Sequence, residues 1–165
     1  MRRKWAATTN PQSRYFSPSR IVRAAIIADI ALAAIPSSAT FFGMGTFHVG
    51  ARIENVVDRS RGASLPKLLV DTGSEYTWVP GTTLEKLGVG REKKDLEFVM
   101  ANGQRVTRSV GFAIIRVDKS FTVDEVVFAE RGDLLLLGAR TLEGLSLTID
   151  PRKKILVAAG PLPAA

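Results

Sequence analysis

From residue 44 onwards, short apolar segments alternate with turn-forming residues. In the segment 47–53, Phe47, Val49, Ala51 and Ile53 alternate with polar or small residues, which is the pattern of a half-buried strand. Turn residues bound the other segments that we interpret as strands, which are 68–70, 76–79, 96–101, 105–117, 121–128, 134–137, 145–149 and 155–158. Strands at this spacing predict an all-β fold, either a small barrel or a sandwich.

Three local signals complete this prediction. Thr82 or Thr83 can cap a short helix that ends at Gly88, and the segment 139–145 can form one or two further helical turns. The pair Asn102-Gly103 lies between two strands. Since both residues tolerate positive φ, we expect a β-hairpin turn there.

The first 43 residues differ from the rest of the chain. They are basic, and their apolar run 21–35 contains Arg23 and Asp29. That run is too short and too charged for a membrane-spanning helix, which needs about 20 apolar residues. We therefore divide the chain into a leader, 1–43, expected to be disordered, and a folded domain, 44–165.

The role of this leader stays open between three interpretations. The first is an extension without structure, and the second is a signal or targeting segment with a cleavage site at Ser37-Ser38-Ala39. The third is a start codon wrongly assigned upstream, with Met44 as the true first residue. Asp29 interrupts the apolar run and so favours the first and third. The compartment is therefore unknown: Met44 as the true start favours the cytoplasm, whereas a signal segment implies export or membrane association, which is not favoured.

Composition excludes several kinds of chemistry. Hydrophobic residues make up 45% of the 165 residues, enough for a packed core. The absence of cysteine excludes disulfides, a thiol nucleophile and cysteine-ligated metal, and a single histidine, His48, excludes a His-rich metal site. We therefore expect neither a metal nor a cofactor, and we expect His48 to be a surface residue.

The net charge of +7 does not indicate nucleic-acid binding by the folded domain. The leader holds six basic side chains and one acidic side chain, while residues 44–165 hold 17 basic and 15 acidic ones. The excess charge therefore lies mostly in the leader. Asp124 and Glu125 form an acidic pair, which we interpret as the solvated start of a strand.

The segment Leu68–Ser74, LLVDTGS, carries the candidate chemistry. An apolar strand leads directly to the carboxylate of Asp71, and Thr72, Gly73 and Ser74 follow with two hydroxyls and a close-approaching backbone. Two such carboxylates in contact share a proton and can act as base and acid on a peptide bond. On its own, however, the Asp-Thr-Gly sequence is more typical of a simple turn after a strand.

Residues 44–160 resemble the retropepsin-like aspartic proteases, particularly the small single-domain members found in microbes. The resemblance rests on LLVDTGS, ANGQRV and LLLLGARTLEGLSLTID in this order and spacing. It implies a small closed acid-protease-like β-barrel with one or two short helices, and a homodimeric aspartic endopeptidase that acts on peptides or proteins. The alternative is a non-catalytic barrel of the same fold that binds extended peptides.

The resemblance also implies roles for individual residues. Asp71 would be the catalytic aspartate, and Thr72, Gly73 and Ser74 would form the active-site loop, with the Thr72 hydroxyl bracing the two loops across the dimer. Two further segments are implied, a flap tip at Asn102, Gly103 and Gln104 and a support for the loop at Leu136, Leu137 and Gly138. Because the chain holds one Asp-Thr-Gly, two carboxylates require two chains related by a two-fold axis.

One departure from the retroviral pattern concerns the residues after Gly138. Retroviral members have Arg-Asn there, and that arginine braces an acidic residue just after the catalytic loop. Here Ala139-Arg140 follows Gly138, and Glu75 stands in the acidic position. The brace is therefore expected to be shifted or absent.

Overall fold

The computed structural model of the chain describes residues 22–23 and 46–161. The strands are β1 Val22–Arg23, β2 His48–Asn55, β3 Gly62–Asp71, β4 Thr77–Pro80, β5 Lys93–Val99, β6 Arg105–Val117, β7 Ser120–Ala129, β8 Leu136–Gly138, β9 Leu147–Asp150 and β10 Ile155–Ala158. The helices are α1 Gly81–Leu87 and α2 Ala139–Gly144. The predicted leader 1–43 lies outside the described residues, except for β1, which pairs in parallel with β5.

Six strands close into a barrel in the order β6, β2, β3, β8, β4, β7, with β7 pairing back to β6. The prediction of an all-β closed barrel with two short helices is confirmed. β8 lies between β3, to which it is parallel, and β4, to which it is antiparallel. This insertion brings the end of β8 next to the end of β3, two segments that lie far apart in sequence.

Two hydrophobic clusters hold the fold together. The larger fills the barrel with residues that alternate along the strands, such as Ile53, Leu68, Ala113 and Ile115, all of them fully buried. We call the second the hairpin cluster. It joins the β5–β6 hairpin to the strands beside the candidate site, and its buried members are Trp78, Phe98, Val110, Val127, Ala129 and Leu136. The hairpin is therefore anchored by apolar packing along its length.

The turn of the β5–β6 hairpin differs from the expected one in a single residue. Gly103 has a positive φ of 81°, whereas Asn102 does not take positive φ. The Gly103 N–H donates to the Met100 carbonyl oxygen at 2.8 Å, and the Asn102 side-chain oxygen accepts from the Gln104 N–H at 2.9 Å. The turn thus has three residues with glycine in the left-handed position, and Asn102 acts through its side chain.

Helix α1 begins differently from the prediction and ends as predicted. It starts at Gly81 behind Pro80, with no side-chain cap, so the expected cap by Thr82 or Thr83 is wrong. Gly88 ends the helix in the left-handed conformation, with φ of 72°.

The C-terminal segment forms a separate two-stranded antiparallel sheet of β9 and β10. Both strands belong to the same chain, with Leu156 opposite Ile149. Among the described residues, no helix has the length and apolar character needed to cross a membrane.

Candidate active site

Asp71 is the last residue of β3, at the point where the chain leaves the barrel wall. It lies opposite Gly138 in the parallel pairing of β3 with β8. Its side chain is buried, and Oδ1 accepts a hydrogen bond from the Gly73 N–H at 2.9 Å. Oδ2 is also buried and has no hydrogen-bond partner within the described part of the chain. A carboxylate with one satisfied and one unsatisfied oxygen is therefore fixed at the end of an apolar strand.

This environment changes the acidity of Asp71. Burial raises the pKa of the carboxyl above its ordinary value, and the N–H groups of Gly73 and Ser74, which favour the charged form, offset only part of this effect. An aspartate with a raised pKa holds a proton to higher pH than an exposed one. It is thus suited to act as an acid or to share a proton with another group.

The loop after Asp71 has an exposed half and a buried half. Thr72 and Gly73 are exposed, whereas Ser74 is fully buried. The Ser74 hydroxyl donates to the Tyr76 carbonyl oxygen at 3.0 Å, and the Ser74 N–H donates to the Asp71 carbonyl oxygen at 3.3 Å. The Ser74 side chain therefore closes the loop on itself instead of bonding to the Asp71 carboxylate.

Strand β8 supports this loop by direct contact. Leu136 and Leu137 are buried in the two hydrophobic clusters, and the Ala139 N–H donates to the Ser74 carbonyl oxygen at 2.8 Å. Gly138 lies so close to the loop that an added Cβ would stand 2.4 Å from the Tyr76 carbonyl oxygen. A residue without a side chain is required at this contact.

A chain of buried hydroxyls continues beneath the loop. The Gly138 N–H donates to the Thr77 Oγ1 at 3.0 Å, and the two hydroxyls of Thr77 and Thr141 lie 2.7 Å apart. The Thr141 hydroxyl lies 2.8 Å from Asp124 Oδ2. Since a carboxylate only accepts, Thr141 donates to Asp124 and Thr77 donates to Thr141. Every member of this chain has a partner.

Asp124 and Glu125 belong to this network, so the expectation that they form a solvated strand start is wrong. Both are buried in β7, and the Arg140 guanidinium lies 3.0 Å from each carboxylate. Lys93 also pairs with Glu125. Burial by itself would raise the pKa of Glu125, but the hydrogen bonds from Lys93 and Arg140 outweigh it and the pKa is lowered.

Arg140 also accounts for the departure from the retroviral pattern. Its backbone N–H donates to the Glu75 carbonyl oxygen at 3.3 Å, while its guanidinium pairs with β7 and lies 5.1 Å from the centre of the Tyr76 ring. The charged group therefore braces β7 and Tyr76 instead of the Glu75 carboxylate. The brace is shifted, as the sequence led us to expect.

The predicted flap residues lie at the exposed tip of the β5–β6 hairpin. The hairpin contacts the segment after the loop through Phe98, which lies near the tip and whose ring packs edge-on against Tyr76 and Trp78 at centroid distances of 5.7 and 5.2 Å. Asn102, Gly103 and Gln104 are thus carried by a hairpin that packs beside the candidate site. His48 is exposed at the start of β2, as expected.

The described strands form a closed six-stranded barrel, and the buried Asp71 lies in a Thr-Gly loop beside the inserted parallel strand β8. These features together define an acid-protease-like fold. Residues 59–141 match the aspartyl protease family, and this match covers half of the chain. The chain belongs to the retropepsin-like aspartyl protease family, so the resemblance seen in the sequence is confirmed. No curated protein matches the chain. Within residues 22–23 and 46–161, no group of three or more histidine, aspartate or glutamate residues could hold a metal ion.

Proposed function

We propose that the protein is a homodimeric aspartic endopeptidase in which each subunit contributes one Asp71. The observation that carries this proposal is the buried Asp71 with its unpartnered Oδ2, in a loop whose Thr72 and Gly73 are exposed. An unsatisfied buried carboxylate oxygen costs free energy, about 1–3 kcal/mol or more for a charged group. A second loop placed across a two-fold axis would provide a proton shared between the two carboxylates.

In the proposed mechanism, one Asp71 carboxyl is protonated and the other is ionised. The ionised carboxylate takes a proton from a water molecule as the water oxygen attacks the carbonyl carbon of the scissile peptide bond. The protonated carboxyl gives its proton to the carbonyl oxygen, which yields a tetrahedral diol. When the C–N bond breaks, the leaving nitrogen takes one proton from a carboxyl and a diol hydroxyl returns one to the pair. One water is consumed and the pair regains its single shared proton.

The exposed segments around the loop would bind the peptide. The Gly73 backbone is accessible beside the carboxylate, and we propose that the tip Asn102–Gln104 closes over the peptide as a flap. The raised pKa of Asp71 supports a pair in which one carboxyl keeps its proton to higher pH than an exposed aspartate would. A retropepsin-like barrel that only binds extended peptides is the competing proposal, and it requires no titrating carboxylate.

The decisive experiment compares wild-type chain with Asp71→Asn, which keeps the side-chain size but cannot transfer the proton. Asp71→Asn should fold and should not cleave a peptide library that wild type cleaves in a pepstatin-sensitive manner. Mixing wild type with a ninefold excess of Asp71→Asn should reduce cleavage per wild-type chain to about one tenth, because random pairing leaves few dimers with two working carboxylates.

Two results would contradict the proposal. Constant cleavage per chain at dilutions where sedimentation detects only monomer would contradict a shared site. Peptide binding by a dimer that never cleaves, unchanged by Asp71→Asn, would instead support the non-catalytic module.

A further inference from the structure

An ion pair outside the Asp71 site connects the β5–β6 hairpin to the segment that leads into β8. The Nε and Nη2 atoms of Arg108 donate to the two carboxylate oxygens of Asp133 at 2.7 and 3.0 Å. The Arg108 side chain is 13% exposed and that of Asp133 is 8% exposed. A bidentate pair with this degree of burial is both stronger and more directional than a surface ion pair.

Arg108 lies on the apolar face of the hairpin. Val106, Arg108 and Val110 alternate along β6 and share one face, and both valines pack in the hairpin cluster. Arg108 is therefore the charged member of an otherwise apolar face. Arg108 lies five residues after Gly103, which is at the tip of the hairpin.

Asp133 is held rigidly in the turn between β7 and β8. Its Oδ2 accepts from the Glu130 N–H at 2.7 Å, and its own N–H donates to the Glu130 carbonyl oxygen at 3.1 Å. Strand β8, which supports the Asp71 loop, begins three residues later at Leu136. Leu134, between them, is 42% exposed beside this turn.

We propose that Arg108 and Asp133 form a clamp that sets the position of the hairpin tip relative to the Asp71 loop, and that both are positioning residues for peptide binding. A peptide lying between the tip and the loop would contact both sides of a gap whose width this pair fixes. The role in binding rests on the proposed function, whereas the restraint on the tip rests on the contacts alone.

The test uses the full chain with Arg108→Gln, Asp133→Asn, the double variant and Arg108→Lys. Arg105→Gln is the matched control, because Arg105 pairs with Glu97 at 3.1 Å within the same hairpin and both side chains are exposed. Hydrogen exchange of residues 100–104 should accelerate about tenfold in both single variants, as the loss of a charged hydrogen-bonded pair predicts. The double variant should be no faster than Arg108→Gln alone, which also removes the second ion pair of Arg108, with Glu130 at 3.3 Å.

Cleavage kinetics provide the second measurement. KM should rise about tenfold in the single variants with a smaller change in kcat, because the clamp positions bound peptide and does not touch the reacting atoms. Arg108→Lys keeps the charge but lacks the planar fork, so it should restore only part of the loss. Arg105→Gln should leave both measurements unchanged.

The exchange measurement separates failure of the clamp from failure of the proposed function. Unchanged exchange at the tip, additive effects in the double variant, or an equal acceleration at Leu68–Val70 in the barrel would overturn the clamp. Accelerated exchange confined to the tip in a protein that shows no cleavage would support the clamp and contradict the proposed protease.

Discussion

Gly138→Ala tests whether β8 locks the Asp71 loop by close backbone contact. An alanine Cβ at this position would lie 2.4 Å from the Tyr76 carbonyl oxygen, 2.5 Å from the Tyr76 carbonyl carbon and 2.9 Å from the Glu75 carbonyl oxygen. All three atoms belong to the backbone, so no side chain can rotate away. Since ordinary contacts begin near 3.4 Å, β8 and the loop must separate by roughly 1 Å.

The cost of this separation follows from the bonds that cross the contact. The Ala139 N–H to Ser74 bond and the Arg140 N–H to Glu75 bond would lengthen beyond useful range, at about 1 kcal/mol each. Forcing a methyl group into a packed site adds about 1–3 kcal/mol. A total loss of about 3–5 kcal/mol is a large part of the 5–15 kcal/mol that typically stabilises a domain.

Thermal unfolding and urea titration measure this loss directly. The midpoint of thermal unfolding should fall by roughly 10–20 °C in Gly138→Ala. Gly50→Ala is the matched control, because its added Cβ meets only ordinary contacts at 3.7 Å and needs no unusual backbone conformation. It should change the free energy of unfolding by less than about 1 kcal/mol.

A Gly138→Ala protein that melts within about 3 °C of the wild type would refute this reasoning. It would mean that the loop yields at small cost and is not held rigid by β8. The support proposed for the Asp71 loop would then have to come from the hydroxyl chain below it.

Three other predictions concern the stability of the same domain. Asp71→Asn should raise the free energy of unfolding at pH 7, because a carboxyl whose pKa is raised in the folded state destabilises the fold once it is ionised. Urea titrations should show that this gain in free energy shrinks as the pH falls through the folded-state pKa, and that it is absent below 3.8, the ordinary pKa of aspartate. Thr141→Val should cost about 2 kcal/mol in urea unfolding by leaving Thr77 and Asp124 without their shared hydroxyl, whereas Thr141→Ser should cost much less. Removal of residues 1–43 should shift the thermal midpoint by less than about 2 °C, because the described contact of the leader is limited to the two residues of β1 on β5; a large fall would show that the leader stabilises the barrel.

The sequence predicted the parts of the fold that depend on local patterns. Alternation of apolar and polar residues identified the strands of the barrel, and glycine after an apolar helix face identified the end of α1 at Gly88. The start of α1 was missed because Pro80 fixes the entry without a side-chain cap. At Asn102 the residue type was right for a turn, but its side-chain bond to Gln104 took the place of the expected positive φ.

The buried ionic network could not be predicted from local patterns. An acidic pair in a strand usually faces solvent, and Asp124 and Glu125 carry no local sign of burial. Their partner Arg140 lies 15 residues after Glu125, and Lys93 lies 32 residues before it. Only the closure of the barrel and the placement of α2 against β7 bring these charges together. The sequence signal available was the unusual position of Arg140 after Gly138. It indicated that the arginine does not brace the usual acidic residue, but it did not indicate which residues the arginine contacts instead.

Asp71 and Asp124 are both buried in the barrel, but their carboxylate oxygens differ in how they are bonded. Both oxygens of Asp124 are bonded: Oδ1 accepts from the Glu125 N–H at 2.7 Å and forms an ion pair with Arg140 at 3.0 Å, and Oδ2 accepts from Thr141 at 2.8 Å. Asp71 instead has one bonded oxygen and one buried oxygen without a partner. The bonded oxygens of Asp124 serve the structure of the barrel, whereas the unpartnered oxygen of Asp71 is left to bind a proton. The pH dependence of the proposed cleavage should therefore follow Asp71, and replacement of Asp124 by asparagine should reduce stability without moving that pH profile.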